Sequence, residues 1–269
     1  MHDLIKIIHN RNESLEKNIQ ELKDYLTDDR KIVIEKELFS AAIVDVISTK
    51  GDFINEQAVQ IYLILHHCIK HYSARSKKGE ILSFQNAMNI LDEAVHDYIT
   101  LEDFYKLINF RDQSGNTLLH QAVISNNTEA IEALLKYGAN SLIRNKEDKM
   151  PLDLAQEEKT REALIKSMKD QAQSKKESAR CNGLIGIIPG VFLGVGLGIG
   201  SALVPSMTII LCALAVSALV AGIAVGVAIY LLSQDYKQAK SIEKAVDSQL
   251  SSVEQKKAYT NEAMLKDKQ

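Results

Sequence analysis

His66, His67, Cys68 and His71 form the densest set of metal-ligating side chains in the sequence. On a helix, His67 and His71 stand one turn apart on one face and could share an ion, while Cys68 is turned about 100° away from His67. A closed zinc site takes four ligands, and no second ligand cluster stands out elsewhere, so a packed or surface helix end is the simpler reading and no metal is expected. Other chemistries lack their minimum parts. There is no G-x-x-x-x-G-K-[ST] loop, no H-E-x-x-H and no G-x-S-x-G. The run GVGLGIG at 194–200 has glycines enough for a nucleotide loop but lies inside an apolar stretch, where a phosphate would have no counter-charge. With no nucleophile–base constellation recognisable, the expectation is a non-enzyme without a cofactor. Cys68, Cys181 and Cys212 are too few for a disulfide framework and suit a reducing compartment. Cys181 flanks the apolar stretch, where lipidation is one reading and an unmodified small residue the plainer one.

The elements that must carry these residues are of two kinds. The chain has 269 residues with 32 Lys and Arg against 35 Asp and Glu, a net charge of −3 that offers no basic face for nucleic acid. Yet nine of its 13 glycines fall between Gly183 and Gly226, within 54 consecutive residues (181–234) that contain no charged residue and no histidine. A soluble helix needs a polar side, and none exists here. The stretch divides at Pro205-Ser206 into 183–204 and 208–232, 22 and 25 residues, each long enough to cross a hydrocarbon core of about 30 Å. So short a join predicts an antiparallel transmembrane hairpin, although a hairpin buried in soluble protein passes the same length test. Lys175, Lys176 and Arg180 precede it and Lys237, Lys240 and Lys244 follow it, while the turn has no basic residue. The positive-inside rule then places both termini in the cytoplasm. The N-terminus MHDLIKIIHNRNE shows no cleavable signal.

Gly186, Gly190, Gly194 and Gly198 recur every fourth residue in the first span, and Gly222 and Gly226 form a pair in the second. Such stripes let backbones approach closely in lipid. Packing within the hairpin is one use of them. Homo-oligomerisation, into a pore or a bilayer-remodelling assembly, is the other. Pro189 is expected to kink the first span or to delay its start.

One internal period is clear. Residues 112–145 read DQSGNTLLHQAVISNNTEAIEALLKYGANSLIRN, and a shift of 33 aligns Asp112 with Asn145, Gly115 with Asp148, Leu119 with Leu152 and Ala122 with Ala155. TLLHQA and MPLDLA divide between them the signature T-P-L-H-x-A, and Ile131, Leu134, Leu135, Gly138 and Ala139 follow at the expected places. The segment 110–169 therefore resembles the ankyrin repeat. The resemblance implies a first helix capped by Thr117, with Leu118, Leu119 and Ala122 inward and His120 hydrogen-bonding neighbouring loops. It also implies a second helix anchored by Leu134 and Leu135 and ended by Gly138 in the left-handed region. A projecting finger is expected over 140–149. The second copy is more polar, with Ser167-Met168 for Leu134-Leu135, as suits a capping repeat. Two copies are fewer than a stable stack needs, so the helical chain upstream must cover the first. The helix opened by Thr100-Leu101-Glu102-Asp103, with 83–98 as its antiparallel mate, is the expected degenerate leading repeat.

The rest of the N-terminal region reads as helices. Leu15, Ile19, Leu22 and Leu26 follow an N-cap at Asn12. Ile34, Leu38, Ala41 and Ala42 belong to a second helix that ends at Gly51. Ala58, Ile61, Tyr62, Leu65 and Ile69 lie in a third that starts at Asp52 or Asn55. Residues 73–79, SARSKKG, read as a basic loop. The polar tail after 233 is a weakly amphipathic helix, frayed beyond about Ala258 and able to pair with 157–180.

The predicted architecture is all-α. It comprises a helical region (1–109), ankyrin repeats (110–172), a basic linker (173–182), two transmembrane helices (183–232) and a polar C-terminal helix (233–269). In layout it is similar to small ankyrin proteins with C-terminal hydrophobic hairpins made by intracellular bacteria. The resemblance implies a membrane-anchored module that binds another protein. The binding residues would be Gln113, Ser114, Asn116, Arg144, Lys146, Glu147 and Lys149 on the fingers and Gln121 and Ser125 on the inner helix. The alternative is a membrane-active protein whose hairpin assembles.

Overall fold

The computed structural model describes residues 7, 15–27, 36–48, 56–71, 83–98, 100–203 and 208–266. Asn12, Gly51, Asp52, Asn55, the 73–79 segment and Pro205-Ser206 lie outside the described residues. Among the described residues every regular element is helical, in agreement with the all-α reading. The chain divides into two compact units, Met1–Ser167 and Met168–Gln269.

In the first unit, α1 (Leu15–Thr27) turns Leu22 and Leu26 inward, and α2 (Lys36–Ser48) turns Phe39, Ala42, Ile43 and Val46. α3 (Glu56–His71) is apolar on most of its circumference, with Ala58, Ile61, Tyr62, Ile64, Leu65, Cys68 and Ile69 all buried. A helix without a broad polar face must be surrounded, and α3 packs against α1, α2, α4 (Phe84–Tyr98), α5 (Leu101–Ile108) and α6 (Leu118–Ile124). α5 begins where expected: Thr100 is its N-cap, its Oγ1 accepting from the Asp103 N–H at 3.1 Å and donating to Asp103 Oδ2 at 2.7 Å.

The repeat's two helices are α6 and α7 (Thr128–Lys136), and their Leu118, Leu119, Ala122, Ile131, Leu134 and Leu135 are buried. Gly138, at φ +91°, ends α7 in the left-handed region, as expected. The face before the repeat is covered by α3 on α6 and α4 on α7. The sequence pattern pairs 83–98 with 100–108. In the fold the helix beside α6 is instead the longer α3, and α5 packs on α3 as well. The joint is also polar. Asn127 caps α7, its Oδ1 accepting from Ala130 N–H at 3.0 Å, while its Nδ2 donates to the Ile69 carbonyl at the end of α3 at 2.9 Å. Glu129 Oε1 accepts from the Gln85 N–H at the start of α4, 3.0 Å away, and the Tyr137 hydroxyl donates to Asn89 Oδ1 at 2.8 Å.

The second copy keeps the turn but loses a helix. Its first helix is a single 3-10 turn, Pro151–Leu154. Gln156 stands where the first copy buries Val123, so a longer helix would turn a polar side chain inward. Its second helix is the start of α8 (Glu158–Leu203), a 46-residue helix that contains the expected linker 173–182 and runs on through Pro189. Residues 173–182 are mostly Gln, Lys, Glu, Ala and Arg, good helix formers with no Gly or Pro among them, so nothing stops the helix there.

In the second unit, α9 (Thr208–Leu232) is followed at once by α10 (Gln234–Lys266), which continues past Ala258 instead of fraying. Ser233 Oγ accepts from the Tyr236 N–H at 3.2 Å and so caps α10. α8 and α10 run side by side. Ala172, Ala179, Ala239, Ile242 and Val246 are buried, Lys176 pairs with Glu243, and Lys175 Nζ lies 3.7 Å from Asp235.

Candidate functional site

The 33-residue period becomes a ladder of matching turns. Asp112 Oδ1 accepts from the N–H groups of Ser114 and Asn116, both at 2.8 Å. Asn145 Oδ1, one period on, accepts from Glu147 at 2.9 Å and Lys149 at 3.0 Å. Each finger closes through its backbone, Asp112 N–H to Asn116 O and Asn145 N–H to Lys149 O, both 2.9 Å. The fingers are tied to each other by Lys146 N–H to Ser114 O at 2.9 Å, Asn145 Nδ2 to Asn116 Oδ1 at 2.9 Å and Arg111 Nη2 to Arg144 O at 2.6 Å.

His120 locks the first helix to the second finger. Its Nδ1 lies 3.1 Å from Thr117 N and 2.9 Å from the Thr117 hydroxyl, and its Nε2 lies 3.1 Å from the Lys149 carbonyl. A carbonyl only accepts, so the proton sits on Nε2 and Nδ1 accepts from Thr117. Burial is the largest cause holding His120 below its ordinary pKa, which favours this neutral form. The expectation of a structural histidine agrees with this geometry. In the second copy, Asp153 Oδ2 takes over the acceptor role towards Met150 N–H at 2.9 Å.

Tyr62 of α3 donates to Asp112 Oδ2 at 3.1 Å, and Gln121 Nε2 donates to the same oxygen at 3.0 Å. Burial first, and the Asp112 charge second, push the Tyr62 hydroxyl pKa up, while burial and then Lys70 lower that of His66, which stacks on Tyr62 at 6.0 Å. Gln121 and Asn116 are therefore half-buried ties within the fold. Arg144 donates to the Asp148 carbonyl at 2.6 Å, and Lys149 pairs with Glu147 at 2.8 Å, so these three finger charges are engaged locally. Gln113, Ser114, Ser125 and Lys146 have exposed side chains. Beside Ser125 stands Ile124, 51% exposed, which the sequence reading passed over. The signal was present: with Leu119, Ala122 and Val123 inward, a residue 100° past Val123 faces out.

Residues 114–146 match the family model described as Ankyrin repeat. No curated protein and no solved structure matches the chain. The match covers the first copy up to the second finger, and the ankyrin repeat supports a protein–protein interaction module.

The histidine cluster is otherwise employed. His67 Nδ1–H donates to the Leu26 carbonyl at 3.1 Å, joining α3 to α1. Burial pushes the Cys68 thiol up to about 12, so it is no thiolate at neutral pH. Among the described residues no group of three or more His, Cys, Asp or Glu is placed to hold a metal.

One helix segment among the described residues, Leu214–Leu232, is long and apolar enough to cross a membrane. Its faces differ. Ala215, Gly222 and Gly226 are buried, whereas Leu214, Val216, Val220, Ile223, Val225, Val227 and Leu232 are exposed. Gly186, Gly190, Gly194 and Gly198 lie within α8, but their surroundings fall outside the described residues.

Proposed function

We propose that this chain is a membrane-anchored adaptor that holds a partner protein on its repeat surface and is tethered by a hairpin over 183–232, with both termini in the cytoplasm. The observation that carries the binding half is that the repeat leaves Gln113, Ser114 and Lys146 exposed on its fingers and Ile124 and Ser125 exposed at the end of its first helix. Exposed apolar and polar side chains on a rigid repeat suit a partner protein, and the inward commitment of His120, Tyr62 and Cys68 argues for binding rather than catalysis. The layout shared with hairpin-bearing ankyrin proteins of intracellular bacteria is compatible with a host protein as partner.

The tether half is supported by the faces of α9. Large apolar side chains point outward and small residues are covered, the order expected of a helix facing lipid. Gly222 and Gly226 are covered, so close packing accounts for this pair better than pore assembly.

The test uses the full chain in lipid nanodiscs. Chemical cross-linking of cytosolic proteins to wild type is compared with Ile124→Glu/Lys146→Glu. Loss of the cross-linked species at unchanged thermal stability supports the surface, and identical captures refute it. Extraction from vesicles by alkaline carbonate would refute the tether. Dye leakage that Gly190→Ile/Gly194→Ile abolishes would favour the membrane-active alternative.

A further inference from the structure

The junction between α9 and α10 changes within a few residues from apolar to basic. Leu232 is 67% exposed and ends the apolar segment, and Ser233 caps the next helix. Tyr230 and Tyr236 flank the cap with ring centroids 4.6 Å apart. Paired tyrosines at such a boundary match the aromatic belt of a membrane–water interface.

Beyond them stand Lys237, Lys240 and Lys244, all exposed. Steps of three and four residues keep them within about 60° on one helix face, away from the buried Ala239, Ile242 and Val246. Among the described residues these lysines carry no ion pair, whereas the lysines of the neighbouring helix do: Lys175 is paired with Asp235 and Lys176 with Glu243. The acidic groups nearest the junction are thus spent on α8, and the basic face of α10 is left free.

Direction matters as well. Side chains of an α-helix tilt towards its N-terminus, and the N-terminus of α10 is the end nearest Leu232. Lys237 and Lys240 start about 7.5 and 12 Å along the helix from Leu232 at 1.5 Å per residue, and their stems lean back towards the boundary. Lys244 starts about 18 Å away and contributes less once screening over about 8 Å is counted.

We propose that Lys237 and Lys240, flanked by the Tyr230–Tyr236 pair, bind anionic lipid headgroups of the leaflet at this end of α9. The inference rests on the tether reading above. A lysine near an anionic surface favours contact about fivefold, so two act together about 25-fold.

The experiment places the full chain in nanodiscs of phosphatidylcholine with a minor share of phosphatidylglycerol and reads the lipids retained by native mass spectrometry. Wild type is expected to retain phosphatidylglycerol in excess of its share. Lys237→Gln/Lys240→Gln should retain the two lipids near their bulk ratio, and Lys237→Arg/Lys240→Arg should behave as wild type. Equal retention by wild type, or undiminished preference in the glutamine variant, overturns the proposal. A chain that never enters the nanodisc overturns the tether reading itself, which is a separate result.

Discussion

The two fingers contain a built-in control for backbone strain. Gly115 and Asp148 are one period apart, and both have positive φ, +77° and +61°. A Cβ on Gly115 would lie 2.9 Å from Lys146 N and 3.3 Å from Asn145 C, atoms of the second finger's backbone that cannot rotate away. Asp148 is exposed and faces no third finger. Gly115→Ala therefore incurs roughly 1–2 kcal/mol for the left-handed conformation. Separating Lys146 N–H from Ser114 O costs about 1 kcal/mol more. A loss of about 2–3 kcal/mol corresponds to a fall in Tm of about 4–12 °C for a unit the size of Met1–Ser167. Asp148→Gly relieves a similar conformation but forfeits a solvent-exposed pair with Arg144, so its Tm should move by less than about 2 °C. The assay is thermal unfolding of the full chain in detergent by far-UV circular dichroism, with hydrogen exchange over 111–150 to localise the change. Equal effects of the two substitutions, or a Gly115→Ala Tm within about 1 °C of wild type, would refute the ladder of fingers.

Three further outcomes follow from the same geometry. His120 and His66 have folded pKa values below the ordinary 6.5, so the unfolded chain binds more protons below that pH. Stability should be complete above about pH 6.5 and decline as pH falls through the folded values, and His120→Gln should flatten part of that decline in a pH series of Tm measurements. Tyr62→Phe removes the donor to Asp112 and should cost about 1–2 kcal/mol in denaturant titration, whereas a loss below about 0.3 kcal/mol would mean that the tie is cosmetic. Leu119→Ala, at a fully buried position, should cost about 2–5 kcal/mol, while Ile124→Glu five residues on should leave folding within about 0.5 kcal/mol of wild type.

Much of this architecture was legible because each feature had a local cause. Thr100 and Asp103 announce a helix start through their own side chains, and Gly138 announces a helix end through the one conformation it alone adopts cheaply. The 33-residue shift carried Asp112 onto Asn145, and both perform the same double acceptance. What stayed hidden depended on neighbours distant in sequence. Gln121 looks like an outward polar residue until Asp112 and Tyr62 are brought beside it, and nothing in the residues around Arg144 says that its guanidinium will close its own turn. The mate of α5 was misjudged for the same reason: adjacency in sequence suggested α4, whereas the apolar circumference of α3 decides what α6 packs against.

A lone well-formed repeat should not be stable, since each repeat leaves an apolar face on both sides. Here the two faces are closed by different means. On the leading side α3 and α4 mimic a repeat in position without its signature, and Asn127 and Glu129 supply bonds to their ends that hydrophobic contact alone would not orient. On the trailing side the second copy keeps only what the interface uses: the finger, the buried Pro151, Leu152 and Ala155, and Leu164 from α8. The residues that would have extended its first helix are replaced by Gln156, Glu157 and Glu158, all exposed. Gln156 stands at the position where the first copy buries Val123, so the second copy lacks that inward apolar residue and the array ends at the point where α8 begins.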